Sequence, residues 1–232
     1  MKKALLGYCC LLLVFNASAQ KTNWYINANA GLFSFSGISA VNTSFINYSS
    51  DLNIAYTNNP YGAKSGFGYG LSGRVQHIYF KHFIAGIDAG YEKQSSRVLI
   101  NGISGYTPGT TKDGHTNIDY KFINIFPFAG YRINMQKIHL DITGGVDLAY
   151  CLSAKENGSA TATDGTIFTT NTDRKTITTD IRPRIQGTFS YHKAGIYIAY
   201  SHGFGNYMDG YIGGINEAYA RLLRFGISYQ LK

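Results

Sequence analysis

The strongest constraint in this sequence is an alternation of apolar and polar residues with a period of two. Ile138, Leu140, Ile142, Val146, Leu148, Tyr150 and Leu152 fall in one phase, interrupted only by Gly144. His139, Asp141, Thr143, Gly145, Asp147, Ala149 and Cys151 fall in the other. Successive side chains of a strand point to opposite faces, so this segment reads as a strand with one apolar and one polar face. The pattern recurs along the chain. Trp24, Ile26, Ala28, Ala30 and Leu32 oppose Asn27, Asn29 and Gly31. Tyr69, Leu71 and Val75 oppose Ser72, Arg74 and Gln76, and Phe83, Ala85, Ile87, Ala89 and Tyr91 oppose Asp88 and Glu92. Further on, Ile177, Ile181, Ile185, Phe189 and Tyr191 oppose Asp180, Arg182, Arg184, Gln186 and Ser190. The last strand sets Leu223, Phe225, Ile227, Tyr229 and Leu231 against Arg224, Gly226, Ser228 and Gln230. A short segment carrying Ile196, Ile198 and Tyr200, and a long one over 118–133, bring the count to eight. The long one is apolar in both phases, so its facing stays open.

The connections fall into two lengths. Tight turns at about 79–82, 134–137 and 191–194 alternate with long polar loops at roughly 36–66, 95–116, 154–176 and 203–218. Long loops gathered at one end are the habit of a transmembrane barrel, whose even strand number returns both termini to the side of the short turns. Two prolines, Pro127 and Pro183, fall inside strands. A closed barrel has no edge on which to place them, so a bulge or local break is expected at each.

Charge selects the face that meets lipid. The polar phase carries Arg74, Asp88, Glu92, Asp141, Asp147, Asp180, Arg182, Arg184 and Arg224. An Arg or Lys turned toward hydrocarbon near the midplane costs about 2–4 kcal/mol, whereas acids and bases turned inward can pair. An eight-stranded barrel is only wide enough for side chains to fill, so a packed polar interior is expected rather than a pore. On the apolar phase, Trp24, Tyr79, Phe83, Tyr191 and Tyr229 fall at the turn end, and Tyr69, Tyr91, Tyr150 and Tyr200 at the loop end. Aromatic residues at both ends of an apolar band read as interface girdles. Composition agrees with an all-β chain. It holds 19 Tyr, 14 Phe and 27 Gly, with only 15% charged residues, which disfavours a helical protein and excludes collagen, coiled coil and disorder. Past the first twenty residues no apolar run is long enough for a membrane helix.

The N-terminus reads as an export signal over residues 1–19. Lys2 and Lys3 precede an apolar run of about a dozen residues, and Ala17-Ser18-Ala19 is a small-residue cleavage site, so cleavage is expected after Ala19. Cys9 and Cys10 leave with it, and a chain keeping only Cys151 cannot be a disulfide scaffold. Removal of Lys2 and Lys3 leaves 19 basic against 13 acidic residues, a net charge of +6.

The stretch from Phe122 to Arg132, FINIFPFAGYR, resembles the fourth-strand motif of the PorT-like outer-membrane β-barrel family. Asn124 stands where that family usually carries an acid, and 138–155 is similar to the family's next strand. The resemblance implies a bacterial outer-membrane barrel, with some members serving secretion machinery; the wider architecture is similar to the small OmpA/OmpX-type barrels. The C-terminus resembles an outer-membrane assembly signal at Arg224, Gly226 and Tyr229, with Leu231 replacing the usual final aromatic.

Chemistry-bearing motifs are sparse. Ser201 and His202 lie at a strand end near Asp209 and Glu217, which raises a lipid A-modifying enzyme as an alternative; adjacent strand residues point to opposite faces, so the pair is poorly placed to share a proton. The six His show no metal-ligand spacing, although His77, His82 and His192 fall near the turn end. Bases alternate with acids instead of forming a patch, which argues against nucleic acid, and no cofactor motif is present. The reading is an eight-stranded antiparallel up-and-down transmembrane β-barrel of the bacterial outer membrane, non-catalytic, with structural or interaction roles. Its partners would be outer-membrane lipid, lipopolysaccharide, and an envelope or secretion-machinery protein met by loops rich in Tyr, Asn, Ser, Thr and Gly. A soluble lipocalin-like barrel with the apolar face inside would give the same alternation.

Overall fold

In the computed structural model, residues 21–211 and 215–231 are described; the expected export signal over 1–19 and the expected cleavage after Ala19 lie outside them. Among these residues the chain is all β, in eleven strands: β1 (Lys21–Ser36), β2 (Thr43–Ser49), β3 (Ile54–Thr57), β4 (Lys64–Tyr79), β5 (Phe83–Ser104), β6 (Thr111–Met135), β7 (Ile138–Ala162), β8 (Ile167–Asp173), β9 (Thr179–Tyr191), β10 (Ala194–His202) and β11 (Tyr219–Gln230). Eight of them close a ring in the order β1-β4-β5-β6-β7-β9-β10-β11, each antiparallel to its neighbours, with β11 returning to β1.

Closure fixes the tilt. Paired residues followed around the ring from Tyr69 run through Ala30, Phe225, Ile198, Gly187, Ile142, Tyr131 and Phe83 and return to β4 at Tyr79. That circuit is displaced by ten residues along β4, which tilts the strands by about 40° from the axis. Ten residues of tilted strand climb about 25 Å, the height of an apolar band in a barrel that crosses a membrane.

The wall is inside-out compared with a soluble protein. Ile26, Leu71, Ile125, Ile142, Leu148, Ile185, Ile198 and Ile227 are exposed on its outer face, while Arg74, Asp88, Asp147, Arg182 and Arg224 are buried within. The soluble, lipocalin-like alternative needs the reverse arrangement and is not what the chain forms. The open question of 118–133 resolves in favour of the even residues. Ile118, Tyr120, Phe122, Asn124, Phe126, Phe128 and Arg132 point inward, and Ile123, Ile125, Tyr131 and Ile133 outward.

Three sequence expectations are corrected or narrowed. Three of the four segments read as long polar loops contain regular structure, 203–218 holding no strand among its described residues: β5, β6 and β7 continue well past the ring, β8 pairs with β7, and β2 and β3 form a hairpin whose first strand pairs in parallel with β5. The Thr, Ser and Asn content of these segments conceals buried Ile46, Ile100, Ile103, Ala160, Ala162 and Phe168, which form a core of their own. Second, of the bulge or local break expected at each proline, the structure has the break and not the bulge. The β6–β7 register is the same on both sides of Pro127, from Ile125–Leu148 to Phe128–Gly145, and only the pairings of Phe126 and Pro127 are missing. Pro183 pairs with Val146 on one side, and on the other the β9–β10 ladder stops at Arg184. The bulge lies at Leu152, where Phe122 pairs with Cys151 but Lys121 with Ser153. Third, Ile177 does not continue the outward row of Ile181 and Ile185; it precedes β9 and packs against the buried cluster at the loop end.

Candidate functional site: the packed interior and the loop-end lobe

From the turn end upward, the interior is a stack of ion pairs. Arg132 Nε and Nη2 donate to Asp141 Oδ1 and Oδ2 at 2.7 and 2.6 Å. Above them Arg74 makes the same two-pronged contact with Asp88, at 2.7 and 2.8 Å. Higher still, Arg224 spans two acids: Nε and Nη2 reach Glu92 at 2.6 and 2.9 Å, and Nη2 also reaches Asp147 at 2.6 Å. Arg182 pairs with Asp180 at 2.7 Å and donates to the Tyr207 hydroxyl at 2.8 Å. Arg184 donates to Gln186 and lies 3.9 Å from Asp88. Burying a charge is costly unless it is paired and hydrogen-bonded, and the two-pronged contacts of Arg132 with Asp141 and Arg74 with Asp88 supply both at once.

The aromatic inner face of β6 belongs to the same stack. Arg182 lies over the ring of Phe122 at 4.4 Å, Arg184 over Phe126 at 4.3 Å and Arg74 over Phe128 at 4.5 Å. Each guanidinium therefore has carboxylate or amide at its edge and a ring on its face, the two contacts a planar cation accepts. The nine charges expected inside, Arg74, Asp88, Glu92, Asp141, Asp147, Asp180, Arg182, Arg184 and Arg224, are at most 8% exposed. Sequence reasoning missed Arg132, Glu156 and Arg174. Arg132 closes the even phase of β6, and that lone charge was the available clue to the strand's facing. Glu156 lies beyond the Leu152 bulge, where the inward set passes from odd to even residues.

Over the charges sits an apolar cap. Phe35 meets Tyr61, Tyr120 and Tyr207 edge-on with ring centroids 5.0 to 5.9 Å apart, and Phe33, Met208 and Leu222 complete the cluster. The Tyr61 hydroxyl donates to the Tyr207 carbonyl at 3.1 Å, and burial pushes that hydroxyl above the ordinary tyrosine range. Cap and lobe are joined by one buried network. Glu156 Oε1 accepts the Thr57 amide and hydroxyl at 2.8 and 2.7 Å, and Arg174 Nε reaches Glu156 Oε2 at 2.6 Å. A second nitrogen of Arg174 contacts the Thr57 carbonyl.

No family model matches the sequence, and no curated protein matches it either. Among solved structures, the chain is similar to Ail, the attachment invasion locus protein of Yersinia pestis, solved in complex with the heparin analogue sucrose octasulfate. That likeness has 9% identity, covers 91% of this chain and 98% of the other, and has a TM-score of 0.36. Neisserial surface protein A follows at 14% identity over 90% and 98%, TM-score 0.37. The outer membrane protease OmpT from Escherichia coli stands at 8% over 91% and 96%, TM-score 0.39. Such likenesses assign no role to any residue here.

The remaining candidates are dispersed. Ser201 is fully buried and takes a hydrogen bond from Arg224, whereas His202, next along the strand, stacks edge-on with exposed Phe204. His77 contacts Thr22, His82 contacts the Arg132 carbonyl and stacks on Tyr131, and His192 packs on Tyr191. Among the described residues no group of three His, Cys, Asp or Glu could hold a metal ion. Cys151 faces inward beside the cap. Of the C-terminal set, Arg224 belongs to the ion-pair stack, and Gly226 leaves room for the inward ring of Tyr197, which a Cβ there would meet at 2.3 Å. Tyr229 and Leu231 point outward near Trp24, whose carbonyl accepts the Leu231 amide. Trp24, Phe83, Tyr191 and Tyr229 lie exposed at the turn end, with Tyr79 half-buried, Phe80 and Tyr131 beside them; Tyr69, Tyr91, Tyr150 and Tyr200 are exposed at the loop end.

Proposed function

We propose that this chain is an integral protein of a bacterial outer membrane, with a non-catalytic barrel and a loop-end lobe that binds a partner at the cell surface. The observation that carries the reading is the inverted wall: ion pairs inside, isoleucine and leucine outside, and aromatic residues at both rims. Arg and Lys on the lipid face are costly near the midplane, and this wall keeps them inside. The exposed aromatics at the two rims are the interface girdles of that membrane. Arg224, Gly226, Tyr229 and Leu231 form its assembly signal.

The lobe supports the binding role. It has its own apolar core and a buried network of Glu156, Thr57 and Arg174, so it presents a fixed surface instead of a mobile loop set. Service to secretion machinery rests on the PorT-like motif at Phe122 to Arg132. Ser201 and His202 diverge, which leaves the lipid A-modifying alternative without a nucleophile and base in contact.

Fractionation, a carbonate wash of the membranes and gels run with and without boiling test the membrane reading. A retained band that shifts on boiling is expected; a soluble band without a shift overturns it. Labelling of intact cells with a membrane-impermeant maleimide tests orientation: Asp51→Cys in the lobe should react, and Lys137→Cys in a tight turn should not.

A further inference from the structure

The outer wall is not evenly filled. Along β1, β9, β10 and β11 the outward positions include Ala28, Ala30 and Gly187, and a Cβ added at Gly187 would meet nothing within 4 Å. Between the ridges made by Phe189, Ile198 and Phe225, these small residues leave a groove of about 730 Å³. It continues toward the turn end into a second space of about 520 Å³ bounded by Tyr191, Ala194 and Tyr229. The two spaces share Ala28, Phe189, Ile196 and Ile227, so they form one channel open along its side.

Its length and ends identify an occupant. The channel follows β1 from Ala30 to Ile26 and β10 from Ile198 to Ala194, four residues on each strand, or about 13 Å. With the strands tilted by about 40°, this is about 10 Å of depth, most of one half of an apolar band about 25 Å tall. The upper end lies at Ala30, Gly187 and Ile198, within the apolar wall, and the lower end beside Tyr191 and Tyr229 of the turn-end rim. Immediately below it is the turn His192-Lys193, and the other two tight turns carry Lys81 and Lys137, with no acid in any of the three. A channel running through most of one leaflet, apolar along its length and cationic at its mouth, matches a lipid whose chain is apolar and whose headgroup is an anionic phosphate.

We propose that this groove is a binding site for one phospholipid of the turn-end leaflet, an acyl chain lying over Ala28, Ala30 and Gly187 and the phosphate set against Lys193. The site rests on the bilayer-spanning fold alone and is independent of which partner the lobe meets.

The test uses the full chain in vesicles of phosphatidylethanolamine and phosphatidylglycerol, extracted in mild detergent, with bound lipid counted by native mass spectrometry. Wild type should retain about one phospholipid per chain. Gly187→Trp and the milder Ala28→Leu fill the groove and should lower retention several-fold. Lys193→Glu should shift what is retained away from phosphatidylglycerol. Gly73→Trp adds the same bulk at an outward glycine elsewhere on the wall and should retain lipid as wild type does. A boiling-dependent gel shift for each variant reports folding separately. Equal retention by all folded variants, or no lipid on wild type, overturns the site. A dimer that Gly187→Trp dissociates also overturns it, since the groove would then hold a second copy of the chain.

Discussion

Glu156 holds Thr57 by both its amide and its hydroxyl, through a single carboxylate oxygen. The two residues are 99 positions apart, on the extension of β7 and the end of β3, and both are fully buried. With Arg174 closing the other side of the carboxylate, this contact ties the β2–β3 hairpin to the extension of β7, beside the ladder that pairs β2 with β5.

Glu156→Ala should therefore loosen the β2–β3 hairpin and leave the ring. Removing one member of a buried ion pair costs about 3–5 kcal/mol. The expected signature is faster amide exchange and proteolysis across β2 and β3, with β9, β10 and β11 still protected. Equal loosening of the ring strands would show that the two parts fold as one unit.

Arg74 and Asp88 allow a double-mutant test of the interior. Asp88→Leu alone leaves Arg74 buried and unpaired and should cost several kcal/mol. Arg74→Met combined with Asp88→Leu should recover most of that loss, because an apolar pair of similar volume tolerates burial better than a lone charge. Urea titrations followed by the boiling-dependent gel shift provide the comparison.

Phe126 separates ring contact from volume. Phe126→Leu keeps an apolar side chain but removes the face against Arg184, and about 1 kcal/mol should be lost. Phe126→Ala also opens a cavity and should cost about 3–5 kcal/mol.

The outer wall predicts a depth dependence. Val146→Arg, outward and between the aromatic rims, should destabilise by about 2–4 kcal/mol in lipid, whereas Phe67→Arg at the loop end should cost at most about 1 kcal/mol. Similar penalties at both sites would contradict the position of the apolar band.

Asp164 gives the lobe a local acid response. The Tyr106 hydroxyl, followed by the Thr166 amide, holds this carboxyl below the ordinary aspartate value. A lowered folded value means the contribution is complete above the ordinary range and is lost as pH falls through the folded value. Chemical shifts of the turn joining β7 to β8 should change in that acid window and stay flat in Asp164→Asn.

The ring was legible because lipid outside and charge inside impose opposite chemistry on alternate residues. Arg74, Asp88 and Arg224 each mark the inward phase of their strand without help from neighbours. The facing of β6 was hidden because its inner side is itself aromatic: Phe122, Phe126 and Phe128 cover guanidinium groups that belong to other strands. That pairing is tertiary and leaves no local trace. The lobe was hidden for a different reason. Its buried Ile100, Ile103 and Phe168 stand among Thr, Ser and Asn, and strand extension past the membrane needs no apolar outer face. Glu156 looked unremarkable in a polar segment, and only the pairing of β7 with β8 and the approach of β3 make it a fastening.

The extra residue at Leu152 divides β7 into two reading frames. Below it, odd-numbered side chains such as Asp147 and Ala149 form the inside; above it, Ala154, Glu156 and Ala160 do. Wall and lobe are thus written in opposite parity on one continuous strand, with a single residue as the comma between them. Deleting Leu152 would let the alternation run unbroken from Cys151 through Ala154 to Glu156, all still inward, so a different lobe grafted onto this barrel must follow the even frame if Leu152 is kept and the odd frame of the wall if it is removed.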